Sequence, residues 1–148
     1  MKPIKATIYH NPKCSKSRAA LKYLEKYNIG ADIRLYIDTG ITRAEIFDIL
    51  ELIGGNITDI IRVEEEIFSD NYTSNGMLLS KEGFINALTT HPILLERPII
   101  LFKEKGIGAI CRSEDSLESL FQYVGIDFKT ETEIVDTKWY KKKNSKKS

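Results

Sequence analysis

Cysteine and histidine are scarce in this 148-residue chain, which has two of each: Cys14, Cys111, His10 and His91. Two thiols are too few for a disulfide scaffold or a four-cysteine zinc site, and with only two imidazoles beside them no metal centre is expected. No apolar run comes near the roughly 18–20 residues that cross a bilayer, so a membrane partner is not expected either. The opening Met1-Lys2-Pro3-Ile4-Lys5 passes directly into strand-like alternation, without the apolar core of a secretory signal, and the expected address is the cytoplasm. Internal repeats are also missing, which argues against a solenoid or propeller. What is present is the composition of a folded domain. Hydrophobic residues make up 42% and charged ones 29%, a balance that sets the chain apart from disordered sequences.

Negative charge is in slight excess over most of the length. Six lysines, and no acid, fall within 138–148, so residues 1–137 keep 16 basic groups against all 21 acidic ones, a formal charge of −5. Such a body has no general nucleic-acid footprint, and nucleic acid is not expected as a partner. The spacing of elements predicts one domain over residues 1–125, followed by a basic, flexible C-terminal tail over 126–148.

Thr7-Ile8-Tyr9 reads as a strand and Asn11-Pro12 as the turn after it. Ala20, Leu21, Leu24 and Tyr27 share one face of a helix from Ser15 to Tyr27, ended by Asn28 and Gly30. Ile33 to Ile37 alternates as a second strand. Thr42 with Glu45 three places on is a capping box, opening a helix of Ile46, Ile49, Leu50 and Ile53 that Gly54-Gly55 stops. Short helices and loops are expected from Asn56 to Thr90, with Glu64-Glu65-Glu66 a solvated face and Ser80 a helix cap. A buried strand over Pro98–Phe102, a turn over Lys103–Gly106, a strand through Cys111 and a Ser113-capped helix closed by Gly125 complete the series. A strand–helix–strand start implies a parallel crossover, and the short later turn implies an antiparallel pair. The expected fold is α/β: a thioredoxin-like mixed four-stranded sheet with a helical insertion.

Cys14 stands just before the first helix, where the positive helix end and free N–H groups favour a thiolate. Lys13, Lys16 and Arg18 surround it with positive charge, and Asn11, Lys13, Ser15 and Lys16 do not read as core. Cys111, between Ile110 and Arg112, reads instead as core filler. No Cys-x-x-Cys occurs, so an intermediate on Cys14 calls for an external thiol to resolve it. Arg62 ends an apolar stretch, Arg97 stands between Glu96 and Pro98 at the start of a buried strand, and Arg112 terminates the last strand. Three guanidiniums suit a tetrahedral oxyanion, although each taken singly also fits a surface ion pair, with Asp59 and Glu96 as local carboxylates. His10 suits either support of the thiolate or an ordinary strand-end hydrogen bond.

Tyr9-His10-Asn11-Pro12-Lys13-Cys14-Ser15-Lys16-Ser17-Arg18 resembles the active-site signature of glutaredoxin-dependent arsenate reductases, the ArsC family. His91-Pro92-Ile93-Leu94-Leu95-Glu96-Arg97-Pro98-Ile99-Ile100 resembles that family's second signature, and Arg62 and Arg112 fall where it has two further arginines. The resemblance runs from about Lys5 to Val124. It implies a cis peptide before Pro98, Cys14 as nucleophile supported by His10 and Ser17, and Arg62, Arg97 and Arg112 as the arsenate-binding set. It implies no bound cofactor: glutathione is the co-substrate and glutaredoxin the protein partner, reducing a Cys14–arsenic adduct and releasing arsenite. Two other readings share the fold. One is a glutathione- or glutaredoxin-linked oxidoreductase acting on another substrate. The other is a thiol-sensing transcription regulator of the Spx type, which normally carries Cys-x-x-Cys where this chain has Ser17. The phosphatase-type arsenate reductases need Cys-x5-Arg, which Cys14-x3-Arg18 does not provide.

Overall fold

The computed structural model describes residues 4–72 and 79–126. The expected tail over 126–148 therefore lies outside the described residues except for Ile126, whose N–H donates to the Phe121 carbonyl at 3.0 Å.

Four strands, β1 (Lys5–Tyr9), β2 (Gly30–Arg34), β3 (Ile99–Phe102) and β4 (Ile107–Ile110), form one sheet in the order β2-β1-β3-β4. β1 runs parallel to β2, pairing Lys5 with Gly30 through Tyr9 with Arg34, and antiparallel to β3, pairing Tyr9 with Ile99. β3 and β4 are an antiparallel hairpin whose connecting turn closes on Gly106 in the left-handed region. This is the mixed, thioredoxin-like sheet that the order of elements implies.

Strand alternation divides the interior into two cores. Tyr9, Ile99 and Leu101 point to one face and Ala6, Ile8, Ile100 and Phe102 to the other. The second face is covered by α1 (Ser15–Lys26) and α6 (Glu114–Val124), through Ala20, Leu24, Leu117 and Phe121. The first is covered by the insertion: α2 (Tyr36–Thr39), α3 (Arg43–Ile53), α4 (Glu66–Tyr72) and α5 (Lys81–Thr90). Gly108 lets β4 lie close against β3, since a Cβ there would meet the Ile100 carbonyl oxygen at 2.9 Å and the Leu101 side chain.

The caps form as the residue types require. Thr42 Oγ1 accepts from Glu45 N–H at 3.1 Å while Glu45 Oε1 accepts from Thr42 N–H at 3.1 Å, and Gly54 ends α3 at φ 68°. Ser80 and Ser113 cap α5 and α6. Asn28 ends α1 at φ 56°, whereas Gly30, expected to help end that helix, begins β2.

The second strand differs from expectation. It spans Gly30–Arg34 rather than Ile33–Ile37, and Tyr36–Thr39 is the short helix α2. The physical reason lies in its partner. β1 ends at Tyr9, opposite Arg34, and only His10 extends the pairing, donating to the Arg34 carbonyl at 3.0 Å. Beyond that point the backbone has no strand to bond, so it bonds itself: Thr39 N–H to Leu35 O at 3.1 Å and Gly40 N–H to Tyr36 O at 2.8 Å. The exposed–buried–exposed run of Leu35, Tyr36 and Ile37 mimics strand alternation.

Candidate active site

β1, a central strand, delivers His10 at its C-terminal end, and Asn11 then folds the chain into α1. The Asn11 carbonyl accepts from Cys14 N–H at 2.9 Å and its Oδ1 from Lys13 N–H at 3.0 Å. Ser17, fully buried, anchors this loop from within α1. Its Oγ accepts from Asn11 N–H at 3.0 Å and lies 2.7 Å from His10 Nδ1. Burial first, then the charge of Arg18, holds the His10 imidazole below its ordinary value against the opposing Ser17 hydrogen bond. His10 and Ser17 thus brace the backbone on either side of Cys14. No hydrogen bond joins either side chain to the sulfur among the described residues. Arg18 adds a third tie, donating from Nη1 to the Pro12 carbonyl at 2.9 Å.

Cys14 is the N-cap residue of α1, and no acidic side chain lies in that helix's first turn. Its thiol, partly buried, closes no cap hydrogen bond but faces the N–H groups of Ser17 and Lys16. Burial pushes the thiol up; those two N–H groups and the Arg97 guanidinium outweigh it, and the net value falls below the ordinary 9.0. Cys111 is the contrast. It is sealed in the core just past the end of β4, its N–H bonded to the Pro98 carbonyl at 2.9 Å, and burial pushes its thiol up to about 12.

The three arginines come together through backbone pairing. An isolated antiparallel bridge joins Ile61 to Leu95, with Arg62 N–H donating to Leu94 O and Glu96 N–H to Ile60 O, both at 2.7 Å. That bridge sets Arg62 beside the Glu96-Arg97-Pro98 turn, where the Arg97–Pro98 peptide is cis. Arg112 Nη1 donates to the Arg97 carbonyl, which brings in the third. Carboxylates lace the group. Arg62 Nη1 donates to Glu96 Oε1 at 3.0 Å and Arg62 Nε to Glu65 Oε1 at 3.1 Å; Arg112 Nη1 stands 3.7 Å from Glu96 Oε1 and Arg97 Nη1 3.9 Å from Glu65 Oε1. Arg97 Nη1 also donates to the Ile93 carbonyl at 3.0 Å, and its buried Nε has no hydrogen-bond partner among the described residues.

All six sequence-proposed site residues therefore fall into two connected groups: His10, Cys14 and Ser17 around the thiol, and Arg62, Arg97 and Arg112 around Glu96. Arg97 links the groups. Of the carboxylates expected to pair with arginine, Glu96 does so, whereas Asp59 instead accepts from Asn56 N–H at 2.8 Å. Glu65, expected on a solvated face, turns in to Arg62. Tyr36 was hidden by the misplaced strand. It is fully buried, and the charged groups acting on its hydroxyl are Arg97, Cys14, Arg62 and Glu96. An open groove of about 230 Å³ runs along the Cys14 loop, lined by His10, Asn11, Pro12, Lys13, Leu35, Ile37, Asp38 and Ile93. Among the described residues no cluster of His, Cys, Asp and Glu could hold a metal ion, and no helix is long and apolar enough to cross a membrane.

Comparison with known proteins places this arrangement. The sequence pattern of the ArsC family matches residues 9–120. An arsenate reductase of Neisseria meningitidis serogroup A is 36% identical over 114 residues, covering 76% of this chain and 95% of its own length. One from Haemophilus influenzae is 33% identical over 99 residues, covering 66% and 84%. The structure of an arsenate reductase from Vibrio cholerae superimposes with a TM-score of 0.70 at 30% identity, over 82% of this chain and 98% of that one. Because the Cys14 loop, the Ile61–Leu95 bridge and all three arginines lie inside the matched span, the sequence and the fold lead to one assignment, and the chain belongs to the ArsC family.

Proposed function

We propose that this chain reduces arsenate to arsenite, with Cys14 as the attacking thiolate and glutathione and glutaredoxin as the electron source. The observation that carries the reading is the lowered Cys14 thiol beside Arg97, with Arg62 and Arg112 gathered at the same turn. The related proteins named arsenate reductase from N. meningitidis and H. influenzae supply the substrate.

Arsenate at neutral pH is an anion and repels a thiolate. Guanidiniums offset that repulsion and orient the arsenic for attack. The Cys14 sulfur bonds to arsenic as one oxygen leaves, protonated, as water. A glutathione thiol displaces a second oxygen in the same way. A glutaredoxin thiolate then attacks the glutathione sulfur, forming a mixed disulfide and breaking the glutathione–arsenic bond. The electron pair of that bond stays on arsenic, which becomes As(III). Hydrolysis of the remaining Cys14–arsenic bond releases arsenite and restores the thiol. Two thiols are oxidised to one disulfide and arsenic gains two electrons, so the sequence balances. Cys111 has no part in it, and the groove along the Cys14 loop supports access by a thiol co-substrate.

The test is an NADPH-coupled assay with glutathione reductase, glutaredoxin, glutathione and arsenate. Arsenate-dependent NADPH oxidation that Cys14→Ser abolishes is the expected result. Oxidation no faster than with Cys14→Ser, by a protein whose Cys14 still alkylates, would overturn the reading.

A further inference from the structure

Tyr36 is fully buried, yet its hydroxyl has no hydrogen-bond partner among the described residues. Leaving such a group unpaired forfeits its hydration with nothing in return, so a buried orphan hydroxyl calls for an explanation. Its neighbour Tyr9, 6.3 Å away between ring centroids, shows the ordinary arrangement: the Tyr9 hydroxyl donates to Glu45 Oε2 at 2.8 Å. Leu35 and Ile37, on either side of Tyr36, line the groove along the Cys14 loop together with His10 and with Ile93, whose carbonyl holds Arg97 Nη1, and the charged groups acting on the Tyr36 hydroxyl are Arg97, Cys14, Arg62 and Glu96. The buried Arg97 Nε is a second unpaired donor, on the side chain that also acts on Cys14. Two orphaned donors in the surroundings of the thiol make the pattern of an incomplete hydrogen-bond shell around an acceptor-rich ligand.

We infer that the Tyr36 hydroxyl is a direct donor to the oxyanion held between Cys14 and Arg97, a ligand-binding residue outside the arginine set. The inference rests on the proposed oxyanion chemistry and adds a fourth recognition group to it. A phenol suits the task. Burial pushes its pKa further above the usual tyrosine value, so it stays protonated and neutral and donates without adding charge. Its ring is buried in the core on the insertion side of the sheet, tilted against Tyr9, which pre-orients the hydroxyl.

The test uses the full chain and the rate at which iodoacetamide alkylates Cys14, measured against arsenate and, separately, sulfate concentration. Protection gives a dissociation constant as a ratio within each variant, so altered thiol reactivity cancels. Tyr36→Phe keeps the ring and is expected to weaken protection about tenfold without lowering thermal stability. Tyr9→Phe, which loses a hydrogen bond within the fold, is expected to lower stability and leave the dissociation constant unchanged. A Tyr36→Phe constant within twofold of wild type overturns the inference. So does a stability loss as large as that of Tyr9→Phe, which would show that the hydroxyl has its partner inside the fold. If neither anion protects Cys14 in the wild-type protein, the oxyanion reading itself fails and takes this one with it.

Discussion

The two thiols should differ in thiolate content by about a thousandfold, and the structure supplies the size. Cys14 falls below 9.0 because the Ser17 and Lys16 N–H groups and the Arg97 guanidinium outweigh the effect of burial; Cys111, with burial unopposed, rises to about 12. Each pH unit of separation is a factor of ten in thiolate, so at any pH below 9 Cys14 holds at least about 10³ times more. Accessibility widens the gap, since Cys111 is 1% exposed and reacts only through opening of the core. The assay is alkylation by iodoacetamide across pH 5–10, read for each cysteine by peptide mass spectrometry, with a denatured sample in which both should react alike. Cys14 should show a midpoint below 9.0, and Arg97→Met should move that midpoint up. Native Cys111 labelled at more than a tenth of the Cys14 rate would refute the reasoning. So would a Cys14 midpoint at or above the ordinary thiol value, because the helix-end N–H groups would then be failing to offset burial.

Arg97→Lys and Arg112→Lys keep the charge but lose the planar fork, and each should lower kcat/KM for arsenate by about tenfold; full activity in both removes the oxyanion site. Cys111→Ala should keep most of the activity and lose about 1 kcal/mol of stability in urea titrations, the cost of a small core void. Glu45 carries the clearest pH signature. Burial pushes its carboxyl up, but Arg34, Tyr9 and Thr42 outweigh it and hold it down to about 2 from 4.5. At 1.36 kcal/mol per pKa unit that is roughly 3 kcal/mol, reduced to about 2 by the water that reaches this partly exposed group. A depressed carboxyl stabilises fully above its unfolded value and loses that contribution as pH falls through its folded one. Glu45→Gln should therefore be less stable by about 2 kcal/mol at pH 7, with the difference closing between about pH 5 and 2. A difference that does not change with pH would assign it to packing instead.

What was legible in the chain was local. Thr42 with Glu45, Ser80, Ser113, Gly54 and Gly125 mark helix ends because each cap is closed within a few residues. The setting of Cys14 was legible for the same reason: its N–H groups and the turn at Asn11 are adjacent in sequence. The second strand was misplaced because its end is decided elsewhere. Alternation continues through Ile37, but β1 runs out opposite Arg34, and no feature between Ile33 and Ile37 records where β1 stops.

The same distinction governs the candidate site. That Arg62, Arg97 and Arg112 stand at the ends of elements can be read from sequence; that they meet depends on a bridge between Ile61 and Leu95 and on a bond from Arg112 to the Arg97 carbonyl. Their carboxylates were only half visible. Glu96 neighbours Arg97 in sequence yet bonds Arg62, 34 positions away, and Glu65 leaves its acidic run to join them. Two carboxylates among three guanidiniums leave an excess of positive charge, enough to attract an anion. They also hold the forks in place before any ligand arrives, so less ordering is left for binding to do. An oxyanion entering such a cluster takes donors already oriented. Glu65 and Glu96 therefore belong in any account of the arginines: removing either would free a guanidinium to reach other acceptors, such as the carbonyl of Ile93 that already holds Arg97 Nη1.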